Sequence, residues 1–540
     1  MNNIGRRHFL GGALAGGLAC LAARGRQDVS TSTGARIEVL LDEAVGTISP
    51  DIYGHFVEHL GGVVYDGVWV GTESKVANTG GIRAALVEQM RRIKPAVIRY
   101  PGGCFADSYD WRDGVGPRAR RPRRTGFWGA TETNQFGTNE FARFCKLTGA
   151  QAYLAANLRG LPAQSFYEWV DYCNSPAGST TLSDMRASGE DGSRDPFGVR
   201  LWGVGNEAWG CGGNFTPQEY ATEFRRFTAA VPGYGLRPLF VASGPSDGDI
   251  NWTRGFFSRM AEKGQFNFYG WALHHYSWNM SRGATDDWDK GKGDALEFGL
   301  EEWYEMLREA DRVESLVKET WAAMGEFDKN RRVKIAVDEW GAWYRPGTEV
   351  RPGYILSQQQ TLRDALVSAL SLDAFNRHAD KVSMANVAQL VNCLHSLFLA
   401  YEDKFTVTPN FHVFEMYSAH QGARGLRTIF DAPEVSYARA GRPAAFWGLN
   451  GSASLREKTL TLTVVNPHAA ESREAEISVR GASVRSASAR VLTANDIHAH
   501  NSFENPRAVE PRDEPASVGA RGRLVFRFAP ASVTRLQLNL

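Results

Sequence analysis

Between residues 47 and 424, short apolar runs alternate with stretches whose apolar positions recur every three or four residues. The runs are ISPDIYGHF, PAVIRYPGG, QAYLAAN, VRLWGVGNE, PLFVASG, YGWALHHY, VKIAVDEW and KVSMANVAQ, each about one strand long. Between them, GIRAALVEQMRRI, GTNEFARFCKLTG, PQEYATEFRRFTAA and QQTLRDALVSALSL have helical spacing. Eight strands alternating with helices predict a parallel (β/α)8 barrel. A doubly wound open sheet is the competing arrangement, but no glycine-rich dinucleotide fingerprint follows the first strand.

Beyond residue 425 the texture changes. KTLTLTVVNPH, EAEISVRG, SVRSASARVLTA, GRLVFRFAP and SVTRLQLNL are short alternating runs broken by Gly, Pro, Asn and Asp, which predicts an all-β C-terminal sandwich over residues 425–540. ARIEVLLDE, residues 35–43, is one more strand, alone ahead of the barrel. Its backbone needs a sheet, so the segment 35–46 is expected to join the sandwich. NSFENPRAVEPRDEPASVGARG is polar and proline-rich and reads as a loop.

Composition narrows the function. With 61 basic and 60 acidic side chains, the net charge of +1 offers no bulk attraction to nucleic acid or an anionic membrane. The 15 tryptophans suit either a tryptophan-rich core or surfaces that stack on sugar rings. Residues 1–25 carry Arg6-Arg7 ahead of a short Gly/Ala-rich run, a pattern similar to a twin-arginine export signal, which predicts a periplasmic or secreted protein. That run is too short to span a bilayer, and no later stretch does so. Six cysteines with no CxxC pair give neither a disulfide framework nor the usual zinc spacing.

In a barrel, the C-terminal ends of the strands form the working face. Glu207 ends the fourth run and Glu339 the seventh, each after apolar residues and beside tryptophan. Either one alone would read as a helix cap or a loop ion pair. Two carboxylates facing one cleft form the pair that cleaves glycosidic bonds.

DIYGHFVEHLGG, VIRYPGGCFADSYDWRDGVGP, GVGNEAWGCGGNFTP, LHHYSW, VDEWGAWY and ANVAQLVN follow one another in this order. On these motifs, residues 35–425 resemble glycoside hydrolase family 51, in the clan of barrel glycosidases with catalytic glutamates after strands four and seven. The resemblance implies a retaining exo-α-L-arabinofuranosidase with Glu207 as acid/base and Glu339 as nucleophile. It places Glu58, Asn206, Tyr276 and Gln389 around the sugar and Trp343 on the pocket wall, with Arg99 and His274 orienting the glutamates. Where many members have a substrate-contacting Asn, this chain has Cys104. The implied partners are arabinose-containing saccharides of plant cell walls, no metal or organic cofactor is required, and a homo-oligomer is compatible. An endoglucanase or β-xylosidase-like enzyme of the same clan, or an inactive carbohydrate-binding barrel, is the alternative.

Two features stand outside that scheme. Cys104 and Cys211 occupy neighbouring strand ends and either pair or stand as two small buried residues; the second is the preferred reading. GPRARRPRR, residues 116–124, either meets acidic pectic chains or forms a solvated, proline-stiffened loop, and the loop is preferred.

Overall fold

The computed structural model describes residues 34–264, 266–278, 291–519 and 522–540. The expected export signal, residues 1–25, lies outside them. After a first strand, β1 (Ala35–Thr47), come the eight strands of a closed parallel barrel: β2 (Gly54–Phe56), β3 (Val97–Tyr100), β4 (Gln151–Ala156), β5 (Leu201–Val204), β6 (Leu239–Ala242), β7 (Gly270–Ser277), β8 (Lys334–Ala342) and β9 (Val382–Val387). Six fall wholly within one of the apolar runs, and β7 and β8 continue one and two residues past the end of theirs. The runs are continuous because such strands bury one face inside the barrel and the other under helices.

Three helices show how the sequence sets the outer ring. α1 (Ala84–Ile93) buries Leu86, Val87, Met90 and Ile93, the three-and-four spacing of one helical face. α2 (Pro217–Thr228) begins with a proline and a capping box, in which Thr216 and Glu219 satisfy each other's backbone N–H groups. α3 (Leu362–Arg377) is capped likewise by Thr361 and Asp364 but is buried nearly all round, from Leu362 to Asn376. It lies between the barrel and the second domain.

Inside the barrel, Val97, Tyr153, Leu201, Val241, Ala272, Ala336 and Met384 form one cluster, one residue from each of β3 to β9. Above this apolar plug the interior turns polar. The Tyr153 hydroxyl donates to Asp338 Oδ2 at 2.8 Å and Asn386 Nδ2 to Asp338 Oδ1 at 3.0 Å.

The C-terminal domain is a nine-stranded sheet built from β1, β10 (Arg424–Asp431), β11 (Asn450–Arg456), β12 (Thr459–Asn466), β13 (Arg473–Arg480), β14 (Ser486–Leu492), β15 (Arg512–Glu514), β16 (Leu524–Phe528) and β17 (Ser532–Asn539). The order across it is β15-β14-β17-β12-β11-β10-β1-β13-β16. β1 runs antiparallel to β10, with Arg36 opposite Asp431, and parallel to β13, with Ala35 opposite Ala475. Ile37, Leu462, Ile477, Phe526 and Leu536 share one buried cluster although their strands span the sheet, so the sheet folds over its own core. β15 corrects the reading of residues 501–522 as loop throughout. It pairs with β14, Asp513 opposite Arg490, but its three residues are all exposed, so no apolar pattern marks it.

The two domains meet on buried polar contacts as well as apolar ones. Asp373 of α3 accepts hydrogen bonds from Ser452 Oγ (2.6 Å), Thr463 Oγ1 (2.6 Å) and the Tyr417 hydroxyl (2.8 Å). Burial pushes its carboxyl up from 3.8 to about 6, against the lowering pull of Ser452 and Thr463. The folded protein therefore holds this proton more tightly than the unfolded chain, and the stability it contributes falls as pH rises from about 4 through 6. Replacing Asp373 by Ala leaves three buried hydroxyls without their acceptor and should cost about 2–4 kcal/mol. Thermal unfolding should show the larger loss at pH 4 and the smaller at pH 7.

Candidate active site

The site is built at the C-terminal mouth of the barrel, and its geometry starts from β8. A regular strand sends neighbouring side chains to opposite faces, yet Asp338 and Glu339 both turn to the barrel interior, the first to Tyr153 and Asn386 and the second to Arg99. The register of β8 against β9 slips between Val337 and Trp340, a bulge that re-aims the side chains on this stretch. Asp338 serves the polar layer below, and Glu339 reaches the mouth, opposite His274 on β7.

Arg99 of β3 joins the layers. Its Nη1 donates to Glu339 Oε1 at 2.7 Å and its Nη2 to Asn206 Oδ1 at 2.6 Å, while Nε lies 3.6 Å from Asp338 Oδ2. The Tyr276 hydroxyl donates to Glu339 Oε2 at 2.7 Å. Burial pushes the Glu339 carboxyl up, but the charges of His274 and Arg99 and the bonds from Arg99 and Tyr276 outweigh it and hold it below the usual glutamate value.

Glu207 follows β5 on a backbone with φ of 39°, left-handed for a non-glycine residue. Its Oε1 lies 3.1 Å from His274 Nδ1, which is 3.7 Å from Glu339 Oε2. Burial disfavours the imidazolium, but the negative charges of Glu339 and Glu207 outweigh it and raise His274 above the ordinary histidine value. One carboxylate oxygen of Glu207 and one of Glu339 are within 4.8 Å of each other. The Glu207 side chain is 21% exposed against 7% for Glu339, so the first faces the opening and the second the barrel.

Glu58 is buried after β2. Its Oε1 accepts from the Phe105 amide (3.0 Å) and Trp128 Nε1 (3.1 Å), and its Oε2 from Gln389 Nε2 (2.9 Å). Burial and the nearby charge of Glu339 push it up to about 7. Gly102 and Gly103 let the chain after β3 pass between the acids: a Cβ on the first would meet Glu58 Cγ at 2.7 Å, and one on the second Glu339 Oε1 at 2.9 Å. Trp343 packs edge-on to Tyr276, ring centroids 5.1 Å apart.

Thus Glu58, Arg99, Cys104, Asn206, Glu207, His274, Tyr276, Glu339, Trp343 and Gln389 are brought together by contacts at one mouth. The reading of Cys104 and Cys211 as separate thiols is corrected: they form a disulfide, with Cα atoms 5.5 Å apart. The segment after Glu207 coils tightly, Gly210 and Gly212 both donating to the Glu207 carbonyl, which swings Cys211 back toward the strand ends. The two sulfurs lie 3.7 and 3.5 Å from Glu207 Oε2. Cys145, Cys173 and Cys393 are free and buried.

The basic run is solvated only in part: Arg120, Arg123 and Arg124 are exposed, as a loop predicts, but two of its arginines are not. Arg118 pairs with Glu190 at 2.6 Å and also with Asp191, and Arg121 pairs with Glu140 at 2.9 Å; both arginines are buried. Sequence reasoning missed Asp338, Asp107 and Trp128. For Asp338 a signal existed, a second acid inside an apolar run. For the other two, in polar loops, there was none.

A family model described as "Alpha-L-arabinofuranosidase 1 domain" matches residues 89–234, and another, "Alpha-L-arabinofuranosidase C-terminal domain", matches residues 338–532. An intracellular exo-alpha-L-arabinofuranosidase of Bacteroides ovatus is 33% identical, over 95% of this chain and 97% of its own. An intracellular exo-alpha-(1->5)-L-arabinofuranosidase of Streptomyces lividans is 29% identical, over 90% of this chain and 73% of its own. The crystal structure of the GH51 arabinofuranosidase from Xanthomonas axonopodis pv. citri superposes with a TM-score of 0.87 at 33% identity, over 94% of this chain and 100% of that one. Both curated relatives are named intracellular, which overturns the expectation of a periplasmic or secreted protein.

The Tyr276 bond gives a test of the electrostatics. Tyr276→Phe removes a donor that favours ionised Glu339, so the carboxyl should protonate at higher pH. The acidic limb of the kcat/KM profile should move toward neutral pH, with a loss of about 10–100-fold, the worth of a hydrogen bond to a charge.

Proposed function

This chain belongs to glycoside hydrolase family 51, the α-L-arabinofuranosidases, and from that premise we propose that Glu207 and Glu339 divide the reaction as acid/base and nucleophile. The enzyme is an exo-α-L-arabinofuranosidase, releasing terminal arabinofuranosyl residues. The observation that carries the division of roles is the contrast between two carboxylates within 4.8 Å of each other. Glu339 is buried against Arg99 and Tyr276, which keep it ionised; Glu207 faces the opening, beside His274 and the disulfide.

In the first step Glu339 attacks the anomeric carbon while the bond to the leaving oxygen breaks. Glu207 gives that oxygen its proton, so the aglycone departs as an alcohol. In the second step Glu207 takes a proton from water, the water oxygen attacks the same carbon, and the ester to Glu339 breaks. Two displacements return the original configuration. A separation of about 5–5.5 Å suits this course, whereas inversion needs about 6.5–9.5 Å to admit a water between the groups. The short gap here supports retention. Asn206, held by Arg99, serves the sugar 2-hydroxyl, a contact that strengthens as positive charge develops. Glu58, Gln389 and Tyr276 hold the remaining hydroxyls, and Trp343 closes the wall. The substrates are arabinan- and arabinoxylan-type saccharides of plant cell walls.

Two variants test the roles. Glu207→Ala should lose about 10²–10⁴-fold on substrates with poor leaving groups and far less on aryl arabinofuranosides with acidic phenols. Glu339→Ala should lose nearly all activity on both. Azide should then give an inverted arabinosyl azide with Glu339→Ala and a retained one with Glu207→Ala. Swapped configurations, read by NMR, would reverse the assignment.

A further inference from the structure

We propose that Asp107 is the positioning residue for the acid/base, holding the Gly205–Asn206 peptide that leads into Glu207 where proton transfer requires it. The proposal rests on Glu207 being the acid. Asp107 sits in a single 3-10 turn, Ala106–Ser108, after β3, and is wholly buried. Its Oδ2 accepts from the Asn206 amide at 2.8 Å, and its Oδ1 from the amides of Leu158 (2.8 Å) and Arg159 (3.2 Å). One carboxyl therefore joins the segments that leave β3, β4 and β5.

The chain needs such a tie at this point. Gly205 still donates to Ala156 of the neighbouring strand, at 3.2 Å, but there the ladder ends. Gly205 has φ of 77° and Glu207 φ of 39°, so the backbone turns sharply on both sides of Asn206. A non-glycine residue stays in the left-handed region only when its surroundings hold it there. The amides of the residues before and after Glu207 supply that hold. The amide of Asn206, one residue before, goes to Asp107, and the amide of Ala208, one residue after, goes to Ser243 Oγ at 3.1 Å.

Neighbouring groups brace the same turn. Arg159 donates from Nε to the Asp107 carbonyl and from Nη1 to the Cys211 carbonyl, both at 3.1 Å. Gly212 packs so closely that a Cβ there would meet the Asn206 carbonyl at 1.7 Å and Asp107 Oδ2 at 2.9 Å. Asp107 thus fixes the backbone, while Arg99 fixes the Asn206 side chain. A shift of about 1 Å in a reacting group can cost about 100-fold in rate.

The test is a leaving-group series. Asp107→Asn replaces one acceptor oxygen with a donor, which must face an amide N–H on one side or the other. We expect kcat/KM on arabino-oligosaccharides and on aryl arabinofuranosides with weakly acidic phenols to fall about 10–100-fold. Substrates with the most acidic phenols should lose less than about 3-fold, and product inhibition by free arabinose should be unchanged. Loss of packing alone would lower all substrates together. Asp107→Ser, which keeps one acceptor, should fall between wild type and Asp107→Asn, and serves if the Asn variant does not fold. Glu207→Ala is run on the same series. A steep dependence for Glu207→Ala with a flat one for both Asp107 variants overturns the positioning role alone. A flat dependence for Glu207→Ala overturns the acid assignment and, with it, this proposal.

Discussion

Arg99 is 1% exposed, and a guanidinium stripped of water at that depth is tolerated only where negative partners and hydrogen bonds replace its hydration. Much of the mouth of this barrel follows from that requirement. Glu339 is ionised because Arg99 needs it. Asp338 is drawn to the same cation from below, and Phe56 covers the guanidinium face with its ring centroid 4.5 Å away. One cation against two carboxylates still leaves an excess negative charge. The structure disposes of it at both margins, with His274 held above its ordinary value and Glu58 pushed up to about 7. The charge of Glu339, the partner of Glu207 and the protonation of Glu58 are thus settled together.

The interior of the barrel divides along its axis. The ring from Val97 to Met384 is apolar but for the Tyr153 hydroxyl and closes the lower end, so stability is supplied there. The mouth is polar and depends on irregular backbone: a bulge at Asp338–Glu339, a left-handed Glu207, two glycines threaded between acids. These features cost conformational freedom or strain, and they stand where the rest of the barrel is rigid enough to bear them.

Most of this frame was legible in the chain. Barrel strands buried on both faces leave unbroken apolar runs, so all eight could be counted. Glu207 and Glu339 stood out because each ends such a run. Legibility stopped where contacts cross between segments. The pairing of Cys104 with Cys211 depends on how the chain coils after Glu207, and the hydrophobic pattern does not encode that. Asp107 and Trp128 lie in polar loops, where an acid that collects three amides looks like any other acid. Strand β10, with half its residues open to solvent, lacks the clean alternation of β12. The arginines at 118 and 121 looked solvated because their partners, Glu190 and Glu140, are remote in sequence.

The position of β1 has a consequence in time. It lies in the interior of the nine-stranded sheet, flanked by β10 and β13, yet it leaves the ribosome before any barrel strand. At about 5–20 residues per second, its partners follow on the order of tens of seconds later. Every barrel strand has been made by then, since β9 ends at Val387. During that interval Ile37 and Val39 have no core to enter, and the edges of β1 have no ladder to join. A growing chain can close its barrel first, but its oldest strand must wait for its youngest domain.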